Sequence, residues 1–378
     1  MLVAKELDVK NHESYHNHER VVYFEHEAAG LKAIISVHNT NLGPSLGGCR
    51  MYPYETQEQA LTDVLRLSRG MTYKSALAGL PLGGGKSVIL ADPRKDKTQA
   101  LFEAMGEAVD YMGGSYITAE DVGTAEENML HIAKHTKYVT GLPKETLQQR
   151  VQNPVGGNPS PYTAYGVFCG LKAAVKYRLK KDSVAGLKVG VQGLGSVGYD
   201  LCRFLDEQGA TLFVSDINDA VLEKAKAEFK NVHIVGLDDI YDLPVDVYAP
   251  CALGATVNDM TINRLKCSVI AGAANNQLHQ KKHDQILHDK GILYAPDYVI
   301  NSGGVMCVGY EFFQLTDNPF AYELNEENLK AHVSEIENVT MKIFDYADKH
   351  GLPAGEAADR LAEEIFLAPD KMKSVANS

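Results

Sequence analysis

Hydrophobic and polar positions change rhythm along this chain, and the change divides it. Val21–Phe24 and Leu31–Val37 alternate with the two-residue period of paired strands, with Ala28-Ala29-Gly30 between them. Thr56–Leu67 places Ala60, Leu61, Val64 and Leu65 at helical spacing. Ser87–Leu90 and Tyr116–Thr118 predict further strands, with helices at Gln99–Tyr111 and Asn128–Lys134. Residues 143–161 carry four prolines and two glycines, which interrupts both periods and predicts a linker. A long helix follows from about Thr163 to Leu179.

Beyond it, apolar runs near residues 189–192, 211–215, 232–235, 246–249, 268–271 and 292–295 alternate with helical stretches. That order predicts a parallel, doubly wound sheet whose ligands sit at the C-terminal ends of the strands. After Glu326 the pattern is helical to near Leu367, long enough to return to the first domain. The expected fold is α/β. An N-terminal α/β domain (1–148), to which the family resemblance drawn from the motifs below assigns substrate binding and oligomerisation, is joined by C-terminal helices (345–378), and a Rossmann-type domain spans 149–344. No internal repeat interrupts this scheme.

Composition narrows the partners. A length of 378 residues accommodates two cores, and a net charge of −12 argues against nucleic acid. No apolar run approaches membrane-spanning length, and Met1-Leu2-Val3-Ala4-Lys5-Glu6 turns charged at once, so a cytoplasmic protein without membrane contact is expected. Six scattered cysteines lack CxxC spacing and read as reduced and mostly buried. His12, His16 and His18 read as the solvated face of an N-terminal helix, and no metal site is expected.

The strongest chemical signal lies mid-chain. Lys188-Val189-Gly190-Val191-Gln192 leads into Gly193-Leu194-Gly195-Ser196-Val197-Gly198, a helical run, and a strand ending at Asp216. Gly193 and Gly195 permit a tight turn and close backbone approach to a pyrophosphate, and Gly198 lets the next helix pack near the strand. Asp216 stands where an acid meets a ribose hydroxyl and repels a 2′-phosphate; Ile217 and Asn218 add no cation, so the cofactor expected is NAD.

The first block contains Gly70-Met71-Thr72-Tyr73-Lys74, Gly83-Gly84-Gly85-Lys86 and Ala119-Glu120-Asp121-Val122-Gly123. Gly85-Lys86-Ser87 imitates the end of a P-loop, but the required first glycine falls on Leu80. Glycine turns beside solvated lysines are the bland alternative, and Asp121 has its own as a helix N-cap. Three glycines also leave Lys86 little surrounding bulk. Burial and a nearby Lys74 charge would depress such a lysine; two to three pKa units cost about 3–4 kcal/mol and make it a base for water.

These motifs, together with Leu42-Gly43-Pro44-Ser45-Leu46-Gly47-Gly48-Cys49-Arg50, Ala273-Ala274-Asn275-Asn276-Gln277 and Ala295-Pro296-Asp297-Tyr298-Val299-Ile300-Asn301, resemble the glutamate/leucine/phenylalanine/valine dehydrogenases, the leucine branch most. The similarity runs from about Val21 to Glu363. It implies that Lys74 holds a substrate carboxylate, Lys86 activates water and Asp121 exchanges protons with the amino group. It assigns Gly47, Gly48, Leu46, Met71, Ala119, Asn276, Val305 and Val308 to the substrate. To the cofactor it assigns Thr163, Ser196, Val197, Cys251, Ala252, Ala273 and Asn275, beside the glycines and Asp216.

The implied reaction is reversible oxidative deamination of a hydrophobic L-amino acid to a 2-oxo acid and ammonia. Hydride transfer needs a dry, aligned site, so a cleft that closes between domains is expected. Leu46 stands where a glutamate-specific enzyme needs a cation, and Ala119 and Val305 fit the leucine branch, which points to leucine, valine and isoleucine. Phenylalanine or another hydrophobic amino acid is the alternative within the family; a non-catalytic nucleotide-binding relative is the alternative outside it. The resemblance also implies a homo-oligomer, an octamer or a dimer. Three segments depart from the family pattern: Leu147–Pro154, Ser302 for alanine, and Gly309-Tyr310-Glu311-Phe312-Phe313.

Overall fold

In the computed structural model, which describes residues 1–368, the alternating runs of the first block become a six-stranded sheet. Its strands are β1 (Val3–Glu6), β2 (Arg20–His26), β3 (Leu31–Asn39), β4 (Ser45–Tyr52), β5 (Gly83–Leu90) and β6 (Tyr116–Glu120), in the order β1-β2-β3-β5-β4-β6. β1, β2, β3 and β5 pair antiparallel, while β4 runs parallel to β5 and β6. The helices are α1 (Gln57–Leu77), α2 (Gln99–Tyr111), α3 (Glu126–Ile132) and the short α4 (Lys144–Gln148).

The two-residue period sets the layers. Ala33, Ile35 and Val37 of β3 join Leu101, Phe102 and Met105 of α2 and Met129 and Ile132 of α3. Ile34 points the other way, into a cluster with Val64 and Leu65 of α1. The sheet therefore lies between α1 and the α2–α3 layer.

Three local expectations change. Thr56 caps α1, as its side chain accepts the Gln59 N–H, but the helix continues past Leu67 to Leu77. Its later buried positions mix Ser68, Thr72 and Ser75 with Tyr73, Ala76 and Leu77, so the apolar period is interrupted while the helix persists. The glycines before Lys86 are already strand. The first twenty residues form no helix: His18 is buried, and its Nε2–H donates to the Leu65 carbonyl at 2.9 Å.

The second block opens with α5 (Ser160–Leu179). There follow β7 (Lys188–Gln192), α6 (Ser196–Glu207), β8 (Thr211–Ser215), α7 (Asp219–Glu228), β9 (Val232–Ile234), β10 (Val247–Pro250), β11 (Val269–Ile270), α8 (Lys282–Asp289), β12 (Leu293–Tyr294) and α9 (Asp297–Ile300). The strands form a parallel sheet in the order β12-β11-β10-β7-β8-β9. The direction of winding reverses between β7 and β10, the doubly wound arrangement.

The tail is α10 (Gly303–Leu315), α11 (Glu326–Ser334), α12 (Ile336–His350) and α13 (Ala354–Phe366), not one continuous helix. Gly351, at φ 62°, ends α12 in the left-handed region, and Pro353 follows. By contacts, one unit comprises Met1–Asn158, Val305–Leu329 and the chain from Ala362; the other comprises Pro159–Gly304 and Lys330–Leu361. The break at Asn158 lies inside the predicted linker, ten residues or so beyond the expected boundary at 148. α10 counts with the first unit because its polar side chains serve that unit's backbone: Leu142 N–H donates to Glu311 at 3.0 Å and Val155 N–H to Gln314 at 2.7 Å. Of the C-terminal part expected to join the first domain, 345–361 counts with the second unit and 362–368 with the first, while residues 369–378 lie outside the described residues.

Beside α1, His18 and His38 meet edge to face, with ring centroids 4.8 Å apart. Thr72 donates to His38 Nδ1 at 2.7 Å, and His38 Nε2–H donates to the His16 carbonyl at 3.0 Å. Burial pushes His18 down to about 4 and His38 down to about 3. A histidine held neutral contributes stability above its unfolded value of ~6.5 that is lost as pH falls toward the folded value. Thermal unfolding is expected to show at least ~2 kcal/mol of lost stability between pH 6.5 and 4. The double variant His18→Gln, His38→Gln should flatten that slope; an unchanged slope would assign it to other groups.

Candidate active site

The candidate catalytic residues of the first unit converge because of strand register. On β4, Leu46, Gly48 and Arg50 alternate with Cys49 and Met51, which point into the α2–α3 core. Gly48 pairs with Ala119 of β6, and Leu46 with Gly84 of β5. Lys86 pairs with Ser36 of β3, whose hydroxyl lies 2.9 Å from Ser68 of α1. Leu46, Gly48, Arg50, Gly84, Lys86 and Ala119 thus share the face of the sheet that α1 covers, and Asp121 follows β6 at the same edge.

Missing side chains create the space. A Cβ on Gly84 would lie 2.0 Å from the Thr72 nitrogen, so α1 rests directly on β5. A Cβ on Gly48 would lie 2.7 Å from the Asp121 Cβ, so Asp121 fills room that Gly48 leaves. At Gly84 and Gly48 the volume of a side chain is taken by neighbouring protein. Lys74 and Met71 lie on the last turns of α1, both half-buried.

Lys86 is 7 % exposed at its side chain, and its Nζ lies 2.7 Å from Asp121 Oδ2. Burial pushes the Asp121 carboxyl up, but the Lys86 and Arg50 charges, with hydrogen bonds from Lys86 and the Val122 N–H, outweigh it. The carboxyl is held below its ordinary value. Asp121 is not the cap of α3, whose N-cap is Ala125. Lys86 therefore has an acid as its near neighbour, where Lys74 was expected to act on it. Arg50 was not singled out as a functional residue: it donates to Asp121 at 3.1 Å through Nε and to Asp63 at 2.9 Å through Nη1. A charged residue among inward-facing strand positions was the available signal.

Val305 and Val308 are buried on α10, and Thr140 donates to the Val308 carbonyl at 2.9 Å. One turn on, Glu311 is buried and accepts the N–H groups of Leu142 at 3.0 Å and Gly157 at 3.3 Å. Burial pushes its carboxyl up against these hydrogen bonds. Glu311, within the departure at 309–313, and Gln314 beyond it thus hold backbone on either side of 147–154, at Leu142, Val155 and Gly157. Ser302 needs no new partner, since its hydroxyl donates to the Val299 carbonyl at 2.6 Å.

In the second unit the candidate cofactor residues gather at one edge, the C-terminal ends of parallel strands. Gly193 to Gly198 follow β7, Asp216 follows β8, Cys251 and Ala252 follow β10, and Ala273 to Asn276 follow β11. Gly193, at φ 98°, turns sharply against Ala252, where a Cβ would come within 2.6 Å of the Ala252 Cβ. A Cβ on Gly198 would lie 2.1 Å from the Gly193 carbonyl oxygen, whereas one on Gly195 would meet nothing within 4 Å. Ser196 and Val197 open α6, which has no side-chain cap at its N-terminus. Uncapped N–H groups beside open space fit a pyrophosphate.

Asp216 accepts the N–H groups of Leu194 at 2.6 Å and Asn218 at 2.8 Å, which fixes its carboxylate at the loop. Thr163 sits on the first turn of α5 and donates to the Pro159 carbonyl at 3.0 Å. Asn276 belongs to this unit, unlike the other candidate substrate residues, and has a left-handed backbone at φ 53°. Asn275 accepts from Asn301 at 2.8 Å. The six cysteines are free, and all but Cys251 are buried.

The family described as "Glu/Leu/Phe/Val dehydrogenase, dimerisation domain" matches residues 18–138, and "Glutamate/Leucine/Phenylalanine/Valine dehydrogenase" matches residues 214–365. The chain belongs to the glutamate/leucine/phenylalanine/valine dehydrogenase family. It is an amino acid dehydrogenase, an oxidoreductase that uses a nicotinamide cofactor on small-molecule substrates. That conclusion sets aside the non-catalytic alternative.

Leucine dehydrogenase of Thermoactinomyces intermedius is 49% identical over 95% of this chain and 93% of its own. Phenylalanine dehydrogenase of Bacillus thermotolerans is 43% identical over 95% of this chain and 91% of its own. The crystal structure of L-tryptophan dehydrogenase from Nostoc punctiforme superposes with a TM-score of 0.79 at 42% identity, covering 94% of this chain and 97% of that one. Among the described residues of this dehydrogenase, no helix is long and apolar enough to cross a membrane.

The two glycines of the phosphate loop should separate on substitution. Gly195→Ala is expected to leave the melting temperature nearly unchanged while weakening dinucleotide binding roughly tenfold or more, because the methyl enters the space a phosphate needs. Gly198→Ala should destabilise the second unit by ~1–3 kcal/mol through overpacking. Calorimetry with and without dinucleotide distinguishes them; normal binding by Gly195→Ala would remove the pyrophosphate from this loop.

Proposed function

We propose that this enzyme catalyses NAD-dependent, reversible oxidative deamination of branched-chain L-amino acids, leucine foremost with valine and isoleucine, to 2-oxo acids and ammonia. The observation that carries the chemistry is the buried Lys86–Asp121 pair at 2.7 Å, on a sheet face it shares with the apolar Leu46 and Ala119. The preference for an aliphatic side chain rests on Leu46, where a carboxylate substrate would go unpaired. It also rests on the likeness to leucine dehydrogenases. NAD is favoured over NADP because Asp216 repels a 2′-phosphate and Ile217 and Asn218 supply no compensating charge.

Lys74 holds the substrate α-carboxylate as a point charge. Gly47 and Gly48 offer backbone beside it, and Asn276 orients the substrate. The substrate ammonium meets the Asp121 carboxylate, which competes with Lys86 for that oxygen and frees the lysine to release its proton. A nicotinamide dinucleotide held by the β7–α6 loop and Asp216 supplies the acceptor for the Cα hydride. Neutral Lys86 then takes a proton from the water that adds to the oxidised, iminium carbon. Asp121, which took a proton from the substrate ammonium before hydride loss, passes it to the amino nitrogen; its carboxylate then accepts the hydroxyl proton as ammonia leaves, and Lys86 keeps the proton it took from water. Assembly through the first unit into a dimer or octamer, and a cytoplasmic setting, complete the proposal.

NADH formation should be fastest with L-leucine, close behind with L-valine and L-isoleucine, and slow with L-phenylalanine, L-tryptophan and L-glutamate. Faster turnover of phenylalanine or tryptophan would move the enzyme to the aromatic branch. Lys86→Ala should retain dinucleotide binding while losing about 10²–10⁴ in kcat; near-normal turnover would end the assignment of Lys86 as base.

A further inference from the structure

Asp121 carries two cations on one oxygen. Lys86 approaches Oδ2 at 2.7 Å from β5, and Arg50 approaches the same atom at 3.1 Å from β4. The guanidinium is anchored behind by Asp63 of α1, 2.9 Å from Nη1, and Tyr54 donates its hydroxyl proton to the same Asp63 oxygen. The charges alternate along Asp63, Arg50, Asp121 and Lys86, with Arg50 22 % exposed at its side chain. Only a planar fork with separate Nε and Nη donors bridges two carboxylates in this way.

We propose that Arg50, braced by Asp63 and Tyr54, is the positioning residue for Asp121: it fixes the direction of the carboxylate and supplies positive charge that remains when Lys86 gives up its own. This rests on the reading of Asp121 as the proton-exchanging acid. In the proposed cycle Lys86 must become neutral. At that moment the Lys86 cation no longer stabilises the Asp121 anion, and burial opposes that anion. Arginine stays charged throughout. Arg50 therefore lets Lys86 lose its proton without that proton passing to Asp121, whose carboxylate stays free to exchange one with the substrate nitrogen.

The groups that face Asp121 make the acid limb of the rate profile assignable. Cys49 of β4 is pushed up to about 12 by burial, and burial also raises the phenols of Tyr116 on β6 and Tyr54, so all three are neutral near pH 7. Glu120 is the other acid, raised by burial and by Glu126. Lys86 and Arg50 are the cations.

The test is the pH dependence of kcat/KM for oxidative deamination in the full-length enzyme. Arg50→Gln should move the acid limb upward by about one pH unit, since loss of an opposite charge at this range shifts a carboxyl by ~1–3 units. Arg50→Lys should restore part of that shift, because the charge returns without the fork. Asp63→Asn should lower the plateau without raising the limb, because it loosens the same bridge but removes no positive charge. Glu120→Gln should leave the limb in place.

A limb unmoved in Arg50→Gln, with Asp121→Asn inactive, would overturn the role of Arg50 and leave that of Asp121 standing. Equal upward shifts in Arg50→Gln and Asp63→Asn would reduce Arg50 to structural support. Turnover retained by Asp121→Asn with the limb intact would overturn the reading of Asp121 itself, and the inference with it.

Discussion

A lysine ammonium that is almost out of water is the constraint from which the first unit is best understood. Leaving one buried charge unpaired costs about 3–5 kcal/mol, a large share of a domain's stability. Lys86 has Asp121 at 2.7 Å. The arrangement requires a sheet face wide enough for the pair and a helix close enough to cover it. Gly84 brings α1 onto β5, and Gly48 gives Asp121 its place. These glycines weaken a strand in isolation. Their retention inside β4 and β5 is explained by what sits in the volume their side chains would take.

The second unit solves a different problem with different means. Its phosphate loop offers backbone rather than charge: the α6 N-terminus is left uncapped, while α7 nearby is capped by Asn218 and α1 by Thr56. With Gly195 at the N-cap, the uncapped start is a small standing loss in the free protein, roughly a few tenths of a kcal/mol against a good cap, which an anion recovers on binding. Asp216, tied by Leu194 and Asn218, is directed by the same loop.

The second unit was the more legible of the two. Each strand from β7 to β12 overlaps an apolar run of the sequence; β10 and β11 are buried throughout and so continuously apolar, while β9 lies at the exposed edge. The fingerprint from Gly193 to Asp216 reads directly, since each glycine answers a local need. In the first unit the motifs fall on residues that the strand register brings together, but the local reason for the glycines differs. Gly83–Gly85 read as a loop near a ligand, yet they are strand beneath a helix. The second half of α1 was hidden because serine and threonine interrupt its buried face there. Arg50 was hidden because its partners come from α1 and the segment after β6, and no spacing along one element announces a bridge between others. His18 and His38 were illegible for the same reason: their neutrality is a consequence of packing against α1, which a run of polar residues near a terminus does not reveal.

The departures from the family pattern illustrate how far such a reading carries. Taken singly, Leu147–Pro154 and Gly309–Phe313 look like two independent changes. In the fold they are neighbours: Glu311 and Gln314 on α10 hold the backbone that flanks 147–154, at Leu142, Val155 and Gly157. Leu147 enters the α2–α3 core, with Leu315 packed against the same cluster. Because Val305 and Val308 ride on the helix that makes these bonds, any change in loop length between Thr140 and Gly157 is transmitted to them through a buried carboxylate. Buried polar groups tolerate loss of a partner poorly. The loop and the helix are therefore coupled through the buried Glu311 carboxylate.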